Sequence, residues 1–407
     1  MDKKPQPQPP RAITPMMRQY LEQKELHPDA ILFFRLGDFY EMFFEDAILA
    51  SELLEITLTS RDKGENPVPM CGVPHHSARG YIARLIEKGY KVAVCEQVEE
   101  PGQGKAIVRR EVSQVVTPGL VTDTEMISAK EPRYLMAVAG GPSGGWGFSY
   151  LDATTGEFYA GFSPDERALG EEIGQVEPKE ILLEEGLSGK KNPWLPPSLP
   201  VTFVAPQIFR PDKSISLLKE HFSLADLGGF GFDSTPEALW AAGGLLSYVG
   251  SRFSSALAAV RPLSRHLRGD FVFLGETTRK NLEIFQTLSG ERGQGTLLSL
   301  MDKTRTPMGG RLLRRWLAFP LMNLEEIGRR QDCVHEFYTR GETRKKVREA
   351  LKKVSDIERL AGKVAIQTAN GRDLVALRQS LGAVPELASL LDSAESVLLK
   401  ESAALLD

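Results

Sequence analysis

Short apolar runs with strand character fill the first half of this 407-residue chain, and a 3.6-residue spacing of apolar positions takes over from about Pro236. Thr14-Pro15 opens the first ordered element, because a Thr hydroxyl can hold a free amide and Pro presets the helical φ. That helix should run to about His27, since Pro28 disfavours its continuation. Residues 31–36 and 39–43 read as short strands around Gly37-Asp38, plausible as a hairpin turn. Residues 46–55 have helical spacing, 56–59 are strand-like, and 61–74, with three prolines, read as a long loop. Ser77 should cap a helix with Tyr81, Ile82, Leu85 and Ile86 on one face and Gly89 as its stop. Strands at 91–95 and 108–116 complete a small mixed α/β domain.

After a polar joint at 125–132, residues 134–139 and 146–151 read as paired strands across the glycine-rich stretch 140–145. Asp152 to Gly156 is a turn before a strand at 157–162; a helix over 164–176 and strands at 180–183 and 201–204 follow. Beyond Pro236 helical apolar faces recur at 239–249, 280–288, 310–319, 324–338, 344–360 and 373–391. Residues 396–406 are still amphipathic where the sequence stops, which predicts an N-terminal piece of a longer protein.

Composition narrows the class. The chain is 42% hydrophobic and 26% charged, ordinary for a soluble globular protein of several domains. It has no apolar run of about 18 residues, the length a membrane span needs. The start is Pro/Gln-rich rather than apolar, so it reads as a disordered or extended tail and not as a signal peptide. Cys71, Cys95 and Cys333 are odd in number and widely spaced, which predicts a reducing cytoplasmic setting without disulfides. A net charge of −4 does not announce a nucleic-acid binder. Residues 14–127 carry 12 Lys/Arg against 18 Asp/Glu, a net of −6, and residues 261–407 carry 25 against 19, a net of +6.

Phe39 and Glu41 stand two residues apart in the second strand and should point the same way. A flat ring beside an acceptor could wedge against a nucleobase and read its edge. Equally, Phe39 could be one more core aromatic among Phe33, Phe34, Phe43 and Phe44, with Glu41 a solvated edge charge. The wider text decides between them. Leu32-Phe33-Phe34-Arg35-Leu36-Gly37-Asp38-Phe39-Tyr40-Glu41-Met42-Phe43, followed by Pro69-Met70-Cys71-Gly72-Val73-Pro74-His75-His76-Ser77, closely resembles the mismatch-recognition domain of the MutS family of bacterial DNA mismatch repair proteins. Residues 147–162 resemble the start of that family's connector. Thr277, Arg279, Asn281, Leu282 and Glu283, with residues 306–321, resemble the opening of its core.

The resemblance implies an α/β multidomain chain: a tail at 1–13, a mismatch-recognition domain at 14–127, a ribonuclease-H-like connector at 128–262 and part of a helical core at 263–407. It implies that Phe39 stacks on a mispaired or unpaired base from the minor groove and that Glu41 hydrogen-bonds that base. Leu36, Met70, Gly72, Val73, Pro74 and His76 would lie near the DNA. The family usually has tyrosine where His75 stands, which leaves the contact of His75 open. The implied partners are mismatched duplex DNA, a second copy of the chain and a MutL-type repair protein, with no membrane. ATP and magnesium would belong to a C-terminal ATPase, for which these residues hold no phosphate loop. Gly102-Gln103-Gly104-Lys105 has Glu99 in place of the first glycine and Ala106 in place of Ser/Thr, and no lysine follows residues 290–295.

Other groups carry weaker signals. Arg61, Lys63, Lys105, Arg109 and Arg110 are candidate phosphate contacts or plain surface charges. Cys71, His75 and His76 lack a metal-binding frame, so no metal is expected. Asp152, Glu157, Asp165 and Glu166 could serve two-metal hydrolysis on a ribonuclease-H-like sheet, or simply hold a turn and a surface. A scaffold whose first domain no longer touches DNA is the other rival. Arg311, Arg314 and Arg315 should share a helix face beside a core stripe of Leu312, Leu313 and Trp316, in a structural role. The basic run from Arg344 to Lys353 should be an exposed helix face.

Overall fold

The computed structural model describes residues 14–60, 67–98, 108–142 and 144–406, and the chain divides into two units, Met1–Thr117 and Pro118–Asp407. Six strands described in the first unit form one sheet in the order β3-β4-β2-β1-β5-β6. They are β1 (Ala30–Leu36), β2 (Phe39–Phe43), β3 (Thr59–Ser60), β4 (Pro69–Pro74), β5 (Lys91–Gln97) and β6 (Arg110–Val116). Helix α1 (Pro15–Leu26) starts as expected, with Thr14 Oγ1 accepting from the Met17 amide. Its Tyr20 enters one face of the sheet among Leu32, Phe34 and Phe43. Helix α2 (Phe44–Leu54) packs on the other face, where Cys71 Sγ reaches Ala47 O at 3.4 Å. Asp46 ties the two helices to β1: its Oδ2 accepts from Tyr20 Oη at 3.1 Å and from Leu32 N at 3.0 Å, and its Oδ1 pairs with Lys24 at 2.9 Å. Burial, reinforced by this carboxylate, keeps the Tyr20 phenol protonated far above its ordinary range.

Three local readings need correction. Most of the expected 61–74 loop that is described is strand β4, held between β2 and β3; its prolines stand at its two ends, where a missing amide costs the ladder least. Of the strand expected over 56–59, only Thr59 is paired, with Ser60, in β3. Ser77 does not cap helix α3 (Ala78–Glu87) by its side chain; it closes a 3₁₀ turn at His75–Ser77, where its hydroxyl donates to Pro74 O.

The second unit opens on a sheet of β7 (Tyr134–Gly140), β8 (Trp146–Asp152), β9 (Phe158–Ser163), β10 (Glu180–Glu184), β11 (Val201–Val204) and β12 (Ser264–Arg265), in the order β11-β10-β7-β8-β9-β12. The antiparallel meander β7–β9 with β10 and β11 added parallel to β7 is the ribonuclease-H-like arrangement expected for the connector. Alternation along β7 explains why it is covered twice. Leu135, Ala137 and Ala139 enter a core with α5 (Pro211–Phe222) and α6 (Glu237–Arg252), whereas Tyr134, Met136 and Val138 enter one with α4 (Glu166–Val176) and Phe319.

The helical remainder comprises α7 (Glu276–Asn281), α8 (Leu297–Met301), α9 (Pro307–Ala318), α10 (Leu324–Thr339), α11 (Gly341–Leu351), α12 (Ile357–Ala365), α13 (Gly371–Gly382), α14 (Val384–Leu391) and α15 (Val397–Ala404). The expected helix over 280–288 stops at Asn281, and Glu283 turns the chain with φ +48°. The run over 344–360 breaks after Leu351 because Asp356 caps a new helix. Helix α9 is inside out relative to expectation. Arg311 and Arg314 are buried, Arg311 on Asp356 and Glu358 and Arg314 on Glu177, while Leu312 is 48% and Trp316 38% exposed. The arginines do hold neighbouring elements, but the apolar stripe does not form core there.

Candidate nucleic-acid interface

The β1–β2 hairpin positions the two residues of greatest interest. Gly37 takes φ +58°, a left-handed conformation that costs glycine nothing, so two residues suffice for the turn. The register that follows pairs Leu36 with Phe39 and Phe34 with Glu41. On the far side of β2, Phe39 pairs with Pro74, Glu41 with Gly72 and Phe43 with Met70. Directly paired residues share a sheet face. Leu36, Phe39 and Pro74 therefore form one row, Phe34, Glu41 and Gly72 the next, and Phe43 and Met70 a third. This is the face that α1 covers, through Tyr20, Phe34 and Phe43. Cover ends before the hairpin tip: Phe39 is 47% exposed, while Phe43 is fully buried. The alternative in which Phe39 is a core aromatic is excluded by that exposure.

Glu41 is half-buried and lies beside bare backbone at Gly72. A side chain at 72 would begin 3.3 Å from Tyr40 O and 3.5 Å from Glu41 Cγ, so glycine leaves the carboxylate's flank open. Behind this face Tyr40 points the other way, its hydroxyl bonded to Glu96 and its ring 5.4 Å from that of His75. The His75 amide donates to Asp38 O at 2.8 Å, tying the hairpin turn to the end of β4. This bracing role of Asp38 and Tyr40 had no signature in the sequence, because it depends on β4 bringing His75 to the turn and β5 bringing Glu96, 56 residues from Tyr40, to the same sheet.

The remaining expected contacts divide. Leu36, Met70, Gly72 and Pro74 share the face of Phe39, and His76 is exposed just beyond it. Val73 is buried on the opposite face, so its side chain is turned away. Arg109 is exposed and pairs with Glu111. Arg110, expected at a phosphate, is only 9% exposed: it donates to Arg35 O at 2.7 Å and Val108 O at 2.9 Å and lies over the Phe34 ring. Its guanidinium braces the hairpin from within. Arg61, Lys63 and Lys105 lie outside the described residues.

The carboxylates considered for hydrolysis are structural. Asp152 accepts from Thr154 N at 2.8 Å, Thr154 Oγ1 at 2.6 Å and Arg133 N at 2.9 Å. Glu157 accepts from Tyr134 Oη and faces Arg315, with burial raising its pKa. Asp165 caps α4, and Glu166 is exposed. Among the described residues no three His, Cys, Asp or Glu side chains are grouped to hold a metal ion, and no helix is long and apolar enough to cross a membrane.

Comparison with known proteins agrees with this layout. Family models match in order along the chain: MutS domain I over residues 14–125, MutS domain II over 133–260 and MutS domain III over 277–407. Relatives named DNA mismatch repair protein MutS include that of Myxococcus xanthus (strain DK1622), 46% identical over 396 residues, covering 96% of this chain and 44% of the relative. That of Anaeromyxobacter dehalogenans (strain 2CP-C) is 44% identical with 96% and 44% covered, and that of Symbiobacterium thermophilum 43% identical with 96% and 46% covered. The chain spans less than half the length of these curated relatives.

Proposed function

The chain belongs to the MutS family, and on that premise we propose that its first unit probes duplex DNA for mispaired or unpaired bases in mismatch repair. Phe39 enters the minor groove and stacks on the faulty base, and Glu41 accepts a hydrogen bond from it. The observation that carries this reading is a large aromatic left exposed at the tip of a braced hairpin, one row from a half-buried carboxylate and an open glycine backbone. Wedging and unstacking cost a few kcal/mol per base step, least where pairing is already broken. The probe therefore responds to deformability rather than to sequence. A carboxylate among phosphates is ordinarily repelled, so Glu41 selects bases that present a donor or share a proton.

In this proposal the second unit passes the signal on, and ATP binding, pairing with a second copy and recruitment of a MutL-type partner fall to parts of a longer family member. No GxxxxGK(S/T) phosphate loop occurs in these 407 residues. The chain by itself should bind DNA weakly, because its recognition segment is acidic, and the binding it does achieve through Lys/Arg–phosphate contacts should fall as salt is added. The test is affinity for G·T-mismatched and matched duplexes at two salt concentrations, for the parent and Phe39→Ala, in this chain and in one extended through an ATPase. Loss of mismatch preference with matched-duplex binding retained is expected. Equal preference in parent and variant would remove the wedge.

A further inference from the structure

Thr117 ends the first unit, and the segment that follows lies on two parts of the second unit in turn. At its start, Gly119 donates to Glu180 Oε2 at 2.9 Å, and a side chain at 119 would come within 2.8 Å of Glu180 and Leu135. Leu120 is buried in the core beneath β7 and β10. Several residues later the same segment meets helices. Arg359 of α12 donates to Ser128 O at 2.9 Å and Glu131 O at 2.8 Å, and Arg311 of α9 donates to Ala129 O at 2.8 Å. Lys130 pairs with Asp302 at 2.7 Å, and Gly310 is so close that a side chain there would stand 2.7 Å from Lys130 Cδ.

Both arginines are also held from behind. Arg311 forms paired contacts of 2.6 and 2.7 Å with Asp356 and one of 2.7 Å with Glu358. The Nε of Arg359 donates to Thr154 Oγ1 at 3.2 Å, in the β8–β9 turn, and Gly362, one turn along α12, leaves only enough room for Thr154 O. One guanidinium thus joins three elements: the segment, the connector turn and a core helix. Burial opposes its charge, and packed apolar residues would join the same surfaces as firmly. A planar fork on carbonyls three residues apart supplies register instead.

We propose that residues 118–131 are a strap that converts displacement of the first unit into coupled displacement of the β8–β9 turn and α12, with Arg359 as the positioning residue at the joint. The trigger rests on the reading of the first unit as a mismatch probe. Amide hydrogen exchange of the 407-residue chain, with and without excess G·T-mismatched duplex, tests it, alongside anisotropy of labelled duplex in the same solutions. Duplex binding should alter exchange in the strap, the turn and α12 together, by about five- to tenfold. Arg359→Lys, which keeps the charge but loses the fork, should bind duplex as the parent does while losing the change in the turn and α12. Thr154→Val, a nearly isosteric change, should lose it in the turn only. Binding by anisotropy without any exchange change in the strap overturns the strap but leaves the probe standing. Absence of binding in the parent overturns both.

Discussion

Two sheets of this protein use the same alternation of side chains to opposite ends. Along β7 and β8 nearly every residue is buried, because helices cover both faces of the second unit's sheet. Along β2 burial begins only after the first residue, and Phe39 stands out at the hairpin tip. Strands covered on both sides, as β7 and β8 are, leave no outward position for anything but their own chain. A sheet whose cover stops one row short keeps a face available to something else. Exposure of Phe39 at a hairpin tip, rather than any excess of basic charge, is what sets β2 apart from β7 and β8.

The sharpest test is one substitution placed in both sheets. Phe148→Ala should destabilise the second unit by about 3–5 kcal/mol, as deletion of a fully buried aromatic does, seen as a fall in its denaturation midpoint. Phe39→Ala should change stability by less than about 0.5 kcal/mol while removing mismatch preference. A large stability loss in Phe39→Ala would return that ring to the core and dissolve the contrast.

Smaller effects sharpen the same division within the first unit. Arg110→Ala should cost about 1–3 kcal/mol by leaving Arg35 O without its buried donor. Arg109→Ala should leave stability nearly unchanged. The salt dependence of DNA binding should respond to Arg109, if to either; a weaker salt slope in Arg110→Ala at unchanged stability would contradict the bracing role.

The smallest effect at neutral pH concerns the buried thiols. Burial pushes the Cys71 and Cys95 thiols up from 9.0 to about 12. The folded state therefore holds these protons more tightly than the unfolded chain. That contribution is fully present below pH 9.0 and is lost as pH rises towards about 12. At pH 8 a thiol reagent should label Cys333, which is partly exposed, and reach Cys71 and Cys95 only on unfolding. Labelling of all three in the native protein would show that this part of the sheet opens readily.

Much of this is legible in the sequence alone, for reasons that lie along the chain. The Thr14-Pro15 start, the two-residue turn at Gly37-Asp38 and the same-side placement of Phe39 and Glu41 depend on neighbours within a few positions. So do the paired strands across the glycine-rich stretch at 140–145. What escaped depended on partners far away in sequence. Residues 69–74 look like a proline-rich loop until β2 supplies a ladder. Arg110 looks like a surface cation until Arg35 O and the Phe34 ring are brought to it. Helix α9 reads as burying Leu312 and Trp316 until Asp356, Glu358 and Glu177 make its arginines the buried residues.

The sequence by itself determined the succession of elements, the resemblance that names the family, and the hairpin that carries Phe39 and Glu41, because local backbone preference and side-chain period act over a few residues. Only the tertiary structure decided which polar groups are spent inside. A guanidinium or carboxylate can be buried only where its partners converge on it, and Arg35 O at Arg110, Asp356 at Arg311 and Ser128 O at Arg359 arrive from 75, 45 and 231 residues away.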